Sequence, residues 1–204
     1  CTSVVVNNLL YVFGGMSSYE NSGQVCEVYD IHSNSWSYLS KCIPNIVTSM
    51  CVVANENSIF AVGMDGNDSC LQIYDTSAEK WTVKSMELKN VADVVNTMNA
   101  CAFYHNDTIY ICNGEGVMYY FKIDEDRWNQ RSGNFETVKD FQICLHEKSY
   151  FMVTGGEFKN KKLSDLAMKF YFKHNTPIWN CYLTRKARKF LDFPVKGHSI
   201  VSNF

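Results

Sequence analysis

Long apolar runs are missing from this 204-residue sequence. No stretch approaches the ~18 residues that a membrane-crossing helix needs. Proline is scarce, at three residues, and no segment is compositionally biased. With 46% hydrophobic and 14% aromatic residues the chain has the material for a true core and does not read as disordered. An excess of one charge is also missing. Nineteen Lys and Arg against 21 Asp and Glu leave a formal net charge of −2, which argues against a dedicated nucleic-acid or membrane-surface binder. The opening "CTSVVVNN" has neither a basic n-region nor an initiator methionine, so it reads as an internal cut and not as a signal peptide.

Catalytic and cofactor motifs are missing too. His32, His105, His146, His174 and His198 show no metal-ligand spacing such as H-x-x-x-H. There is no G-x-S-x-G, no P-loop and no G-x-G-x-x-G ahead of a helix. No catalytic, cofactor-binding or metal-ligating residue is therefore assigned. "GEG" at 114–116 reads as a turn, and Asp124-Glu125-Asp126 as a solvated turn in place of a cation site. The nine cysteines are odd in number, irregularly spaced and without a C-x-x-C pair. Several sit in apolar runs such as "MCVVA" and "ACAFY", where cysteine acts as a small hydrophobe in a reducing compartment. Sequons at Asn67 and Asn106 occur as often as chance allows in a chain this rich in Asn, Ser and Thr. A cytoplasmic location is expected.

What is present is a repeat. "LLYVFGG" (9–15) returns as "SIFAVGM" (58–64), "TIYICNG" (108–114) and "YFMVTGG" (150–156). After each comes an alternating strand and a tryptophan: "CEVYDIHSNSW", "LQIYDTSAEKW", "MYYFKIDEDRW" and "KFYFKHNTPIW". An aromatic residue stands seven positions before each tryptophan: Tyr29 before Trp36, Tyr74 before Trp81, Phe121 before Trp128, Phe172 before Trp179. The tryptophans lie 45, 47 and 51 residues apart, and all four in the protein share this phase.

Each copy reads as strand, short polar turn, strand ending near glycine, variable loop, strand, polar turn, strand with Trp. Four short strands at a period of 40–50 residues is the sequence form of a β-propeller blade. A lone four-stranded sheet cannot bury both faces, whereas packing blades side by side covers them. Burial of one Trp of ~200 Å² at ~25 cal/mol/Å² stabilises by at most roughly 5 kcal/mol, so these aromatics read as structural. The expected architecture is all-β, with one segment over 1–204. Its repeats fall near 1–47, 48–97, 98–139 and 140–196, and 197–204 begins a fifth. "RKARKFL" (185–191) is the only helix candidate and is too short to stand alone.

The glycine doublet, Tyr and Trp at this spacing resemble the Kelch repeat. Gly14, Gly15, Tyr29 and Trp36 carry the pattern in the first copy. Gly63, Tyr74 and Trp81 carry it in the second, where Met64 replaces a glycine. The third has Gly114, Phe121 and Trp128, with Asn113 before the glycine. The fourth has Gly155, Gly156, Phe172 and Trp179. The C-terminal "GHSIVSNF" matches the N-terminal "CTSVVVNN", and a segment with uncovered blades at its ends is expected to aggregate or to be only marginally stable on its own.

The resemblance implies a non-enzymatic protein-interaction module. Its commonest setting is the substrate-recognition propeller of a BTB-Kelch adaptor, with a BTB domain outside this segment engaging a cullin-RING ubiquitin ligase. Actin or another cytoskeletal partner is the alternative in the same class. A copper- or iron-dependent Kelch-type enzyme is the alternative in another, but its metal ligands cannot be assembled here from matching positions. No cofactor, nucleic acid or membrane partner is expected.

Loops after the glycine elements and segments between blades leave on the same side and vary in length, which is where recognition is carried on a rigid scaffold. Tyr19, Asn21, Arg131, Lys161, Arg185 and Arg188 are the candidate contacts, because Tyr and Arg serve as interface anchors. Charge is unevenly spread: residues 1–102 hold 4 Lys and Arg against 10 Asp and Glu, and 103–204 hold 15 against 11. A basic C-terminal half that bound a partner would select an acidic segment.

Overall fold

The computed structural model describes residues 1–14, 25–45, 48–65, 68–85, 100–112, 117–132, 138–139, 141–146, 150–154, 157–158, 167–173 and 176–183. Every helix or strand among them is a strand. The alternation of β-branched and aromatic residues dictates this, since it gives each segment two distinct faces. The chain divides into two compact units, residues 1–96 and 97–204.

In the first unit, β1 (Thr2–Val6), β2 (Leu9–Phe13), β3 (Cys26–Asp30) and β4 (Ser35–Tyr38) form an antiparallel meander, the first blade. Strands β5 (Thr48–Ala54), β6 (Ser58–Asp65), β7 (Asp68–Asp75) and β8 (Lys80–Ser85) form the second, and β1 neighbours β5. In the second unit, β9 (Cys101–His105), β10 (Thr108–Cys112), β11 (Val117–Lys122) and β12 (Arg127–Ser132) form the third. The short β13 (Val138–Lys139) follows. Then β14 (Gln142–His146), β15 (Tyr150–Thr154), β17 (Ala167–Lys173) and β18 (Thr176–Leu183) make the fourth, and β14 neighbours β9. The remaining strand, β16 (Glu157–Phe158), pairs with β13 outside the blades.

Turn chemistry fixes the registers. Asn7-Asn8 and Asn106-Asp107 take left-handed backbone at both positions (φ 51°, 64°, 45° and 54°), the geometry of a two-residue hairpin, where Asn and Asp are the tolerated side chains. The β3–β4 and β7–β8 turns are built on aspartate. Asp30 Oδ1 accepts from the His32 and Ser33 N–H groups, and Asp75 Oδ1 from those of Ser77 and Ala78 and from the Ser77 hydroxyl. These bonds hold both carboxyls below their ordinary value of 3.8. Asp124, Glu125 and Asp126 occupy the corresponding β11–β12 turn and are exposed, with Lys122 paired to Glu125.

The register then lines up one row of side chains across each blade. Val5, Leu10, Tyr29 and Trp36 are successive partners in the first, Ala54, Ile59, Tyr74 and Trp81 in the second, Tyr104, Ile109, Phe121 and Trp128 in the third. The aromatic pairs are superimposable in geometry: ring centroids are 5.1, 5.0 and 5.0 Å apart, with interplanar angles of 42°, 44° and 42°. Seven-residue spacing is thus a cross-strand contact in three blades.

The fourth departs from the expected equivalence. Its Lys173 pairs with Thr176, leaving two residues in the turn where the other hairpins use four, and Phe172 faces Pro177. Trp179 falls where the register shifts, beyond the Tyr171–Ile178 pair. The glycines differ as well. Gly14 has φ 65°, as a strand-terminating glycine should, but Gly63 lies inside β6 opposite Cys70, because with Met64 in place of a second glycine the strand runs on to Asp65. Gly15, Gly114, Gly155 and Gly156 lie outside the described residues, as does the 185–191 helix candidate.

The core of the first unit is the seam between its two blades. Val6, Tyr11, Phe13, Cys26 and Val28 from the first meet Ile59, Ala61 and Tyr74 from the second, with Ile43 from the linker. Phe13 meets the Trp81 ring edge-on at 6.0 Å, and Tyr11 meets Tyr74 at 6.3 Å. Burial first, then the Glu79 charge, pushes the Tyr74 phenol up to about 12, so it stays neutral in the seam. In the second unit Phe103, Tyr110, Cys112 and Met118 of the third blade pack with Phe141 and Val153.

Candidate functional site

The two connector classes expected to carry recognition differ in how much of them the structure describes. The first described connector is the linker from β4 to β5, residues 39–45. Leu39 N–H donates to the Cys26 carbonyl (2.9 Å), which ends β4 with one last rung. Ile43 then buries its side chain in the seam. Two groups from the second blade fix the backbone on either side of it. Trp81 Nε1–H donates to the Lys41 carbonyl (3.0 Å). Gln72, fully buried on β7, accepts from the Asn45 N–H through Oε1 (2.9 Å) and donates from Nε2 to the Asn45 carbonyl (3.3 Å). A carboxamide offers one acceptor and one donor, which match the N–H and C=O of a single residue, so the buried polar atoms are satisfied in pairs.

The outcome is a connector with its backbone pinned and the side chains of Lys41, Cys42 and Pro44 exposed. Asn7 Nδ2 donating to the Glu56 carbonyl (3.1 Å) and Ser40 Oγ donating to Glu79 Oε2 (3.3 Å) hold the two blades together elsewhere. In the second unit the equivalent place is taken by Phe141, whose carbonyl accepts from Cys101 Sγ (2.9 Å). There β13 lies in the linker between blades and β16 in the loop after Gly156. Their pairing, Val138 with Phe158 and Lys139 with Glu157, brings the two connector classes side by side.

The thiols divide by environment. Burial pushes Cys26 up to about 11 and Cys101 up to about 12, while Cys1 and Cys42 are exposed. Both raised thiols stay protonated at neutral pH, and their thiolate appears only as pH climbs toward those values. A disulfide reagent at pH 8 should therefore modify Cys1 and Cys42 rapidly and spare Cys26 and Cys101 until denaturant is added. Peptide mapping after a short pulse reads this directly; labelling of Cys26 at the rate of Cys42 would contradict the seam.

Of the candidate contacts, Tyr19, Asn21, Lys161, Arg185 and Arg188 lie outside the described residues. Arg131 is placed differently from the expectation: it belongs to β12, opposite Met118, because the strand continues past Trp128 to Ser132 before the linker begins. Sequence reading missed Gln72 and Ile43. Gln72 carried a signal, a polar residue two positions before Tyr74 on the same side of an otherwise apolar strand. Ile43 carried none beyond being apolar in a polar linker.

Comparison with known proteins agrees with this geometry. Residues 1–42 match the Kelch motif family model. Over 106 residues the chain is 31% identical to Kelch-like protein 38 of Danio rerio, a match covering 52% of this chain and 16% of that protein. Over 116 residues it is 27% identical to Kelch-like protein 23 of Pongo abelii, covering 55% and 19%. The matches thus span less than a fifth of the length of these relatives. Among solved structures, that of YjhT superposes with a TM-score of 0.66 at 11% identity, covering 86% of this chain and 67% of that one. The in-phase aromatic rows, the four-stranded meanders and these likenesses together show a β-propeller segment whose residues 1–42 carry a Kelch motif and which is similar to Kelch-like proteins.

Proposed function

We propose that this segment is the substrate-recognition part of a cytoplasmic BTB-Kelch adaptor, which holds a protein on its connector face and delivers it to a cullin-RING ubiquitin ligase through a BTB domain elsewhere in the polypeptide. It acts by binding alone and needs no cofactor. The observation that carries the reading is the pinned linker. Trp81 and Gln72 spend their polar groups on its backbone, while the side chains of Lys41, Cys42 and Pro44 are exposed. A connector ordered in advance loses little entropy when a partner arrives. Tyr19 and Asn21 in the first unit and Lys161, Arg185 and Arg188 in the second remain the proposed anchors, and the positive balance of 103–204 selects an acidic segment of the partner.

The test is affinity isolation of the full-length protein from cytosol with quantitative mass spectrometry. A cullin should be enriched. Arg185→Glu with Arg188→Glu should lose the substrate and keep the cullin, and association should become less salt-sensitive. Co-sedimentation with filamentous actin and no cullin would move the protein to the cytoskeletal reading. Stoichiometric copper or iron would overturn the non-enzymatic one.

A further inference from the structure

Two thiols of the first unit lie against the same short stretch of linker and differ in what can reach them. Cys26 is the first residue of β3, directly opposite Phe13, and is buried in the seam with Phe13 and Ile43. Cys42 is exposed. The linker returns to Cys26 on both sides of Cys42. Leu39 N–H donates to the Cys26 carbonyl (2.9 Å), and the Ile43 backbone hydrogen-bonds the Cys26 sulfur. Cys42 is thus the immediate chain neighbour of a residue in contact with the buried thiol. Burial raises Cys26 most, the Ile43 N–H lowers it, and Cys42 lies close enough to raise it further.

Such a pair divides the labour of thiol–disulfide exchange. The first attack needs an open thiol, which Cys42 supplies; the second thiol needs only to lie beside the mixed disulfide that results. Burial keeps Cys26 protonated and out of the first step. It does not bar an intramolecular attack, where proximity replaces concentration. Cys101 and Cys112 face each other directly between β9 and β10, but that pair has no exposed member.

We propose that Cys42 is a site of S-thiolation by a small-molecule disulfide of the glutathione class, which Cys26 resolves to a Cys26–Cys42 disulfide. In the first step the Cys42 thiolate attacks one sulfur of the disulfide R–S–S–R, forming Cys42–S–S–R and releasing RS⁻. In the second the Cys26 thiolate attacks Cys42 Sγ, and a second RS⁻ leaves as the new S–S bond forms. Two protein thiols are oxidised, one small disulfide is reduced to two thiols, and the two protein protons end on them. The product closes a ring over residues 26–42 that contains the β3–β4 hairpin, so the linker is tied to β3 by a covalent bond where hydrogen bonds held it before. This stands on the seam of the first unit and does not require the linker to meet a partner.

Full-length protein, freed of reductant, is given a short pulse of dithiodipyridine, chased without reagent, acid-quenched and mapped without reduction. The label should sit on Cys42 after the pulse. During the chase it should leave, while a linked Cys26–Cys42 peptide grows with the same time course and Cys26 never carries the reagent. Cys26→Ser should hold the Cys42 label at least ~10-fold longer. Because that substitution touches the packed seam, Cys26→Ala is run beside it, and the linked peptide in the parent stands without either. Oxidised glutathione should give the same linked peptide, and dithiothreitol should return both thiols. Cys42 left unlabelled, a label as persistent in the parent as in Cys26→Ser, transfer to another cysteine, or a linked peptide formed only in denaturant would each overturn the proposal. A linked peptide with dithiodipyridine but none with oxidised glutathione would refute the class of co-reactant.

Discussion

Phe13→Ala should destabilise the protein by about 3–5 kcal/mol, a large share of the total stability of a typical domain. The phenyl ring is fully buried at the end of β2 and touches elements from both blades of the first unit. It stacks along Tyr11 at 6.4 Å and takes the edge of Trp81 at 6.0 Å. Removing it opens a cavity between two sheets that are each held by their own ladders, so neither can collapse into the gap without breaking register. Chemical denaturation of the full-length protein, with the parent in parallel, measures the loss. Phe13→Leu keeps most of the volume and should cost less than half as much. A loss under about 1 kcal/mol for Phe13→Ala would mean that the seam is not where the stability lies.

Gln72→Glu should be comparably damaging, by about 3 kcal/mol or more, although it changes only one terminal atom group. The carboxylate still accepts the Asn45 N–H, but the Asn45 carbonyl loses its donor and meets a charge in a site closed to water. Burial will raise the folded-state pKa of the introduced carboxyl above its unfolded value. The folded protein then binds the extra proton more readily, so stability is recovered as pH falls and lost again as it rises. Gln72→Leu, with no charge, should cost about 1–3 kcal/mol and show no such pH dependence. Denaturant midpoints from pH 5 to pH 8 separate the two; parallel pH profiles for both variants would contradict the clamp.

Much of the architecture was legible because the repeat unit is local. Tyr29–Trp36, Tyr74–Trp81 and Phe121–Trp128 face each other across four-residue turns whose Asp, Ser, Asn and Glu residues are visible in the sequence. The fourth hairpin broke the rule through a two-residue turn, which moved Phe172 opposite Pro177 while its distance in sequence from Trp179 stayed at seven. Spacing alone does not report register when the turn length changes. Nor does the repeat show how a copy packs: Trp36 and Trp81 are the same residue in the same row, and within the first unit only Trp81 meets a ring of the neighbouring blade, Phe13. The linker clamp was hidden for another reason, since Gln72 acts on backbone atoms of Asn45 that any residue would supply.

The contact between Phe13 and Trp81 is the most direct place to test whether successive blades are joined through their aromatic rows. A double-mutant cycle with Phe13→Leu and Trp81→Phe, read by chemical denaturation, isolates the coupling from the burial of either ring. A coupling of about 0.5–1.5 kcal/mol is the predicted result. Strict additivity of the two substitutions would contradict it.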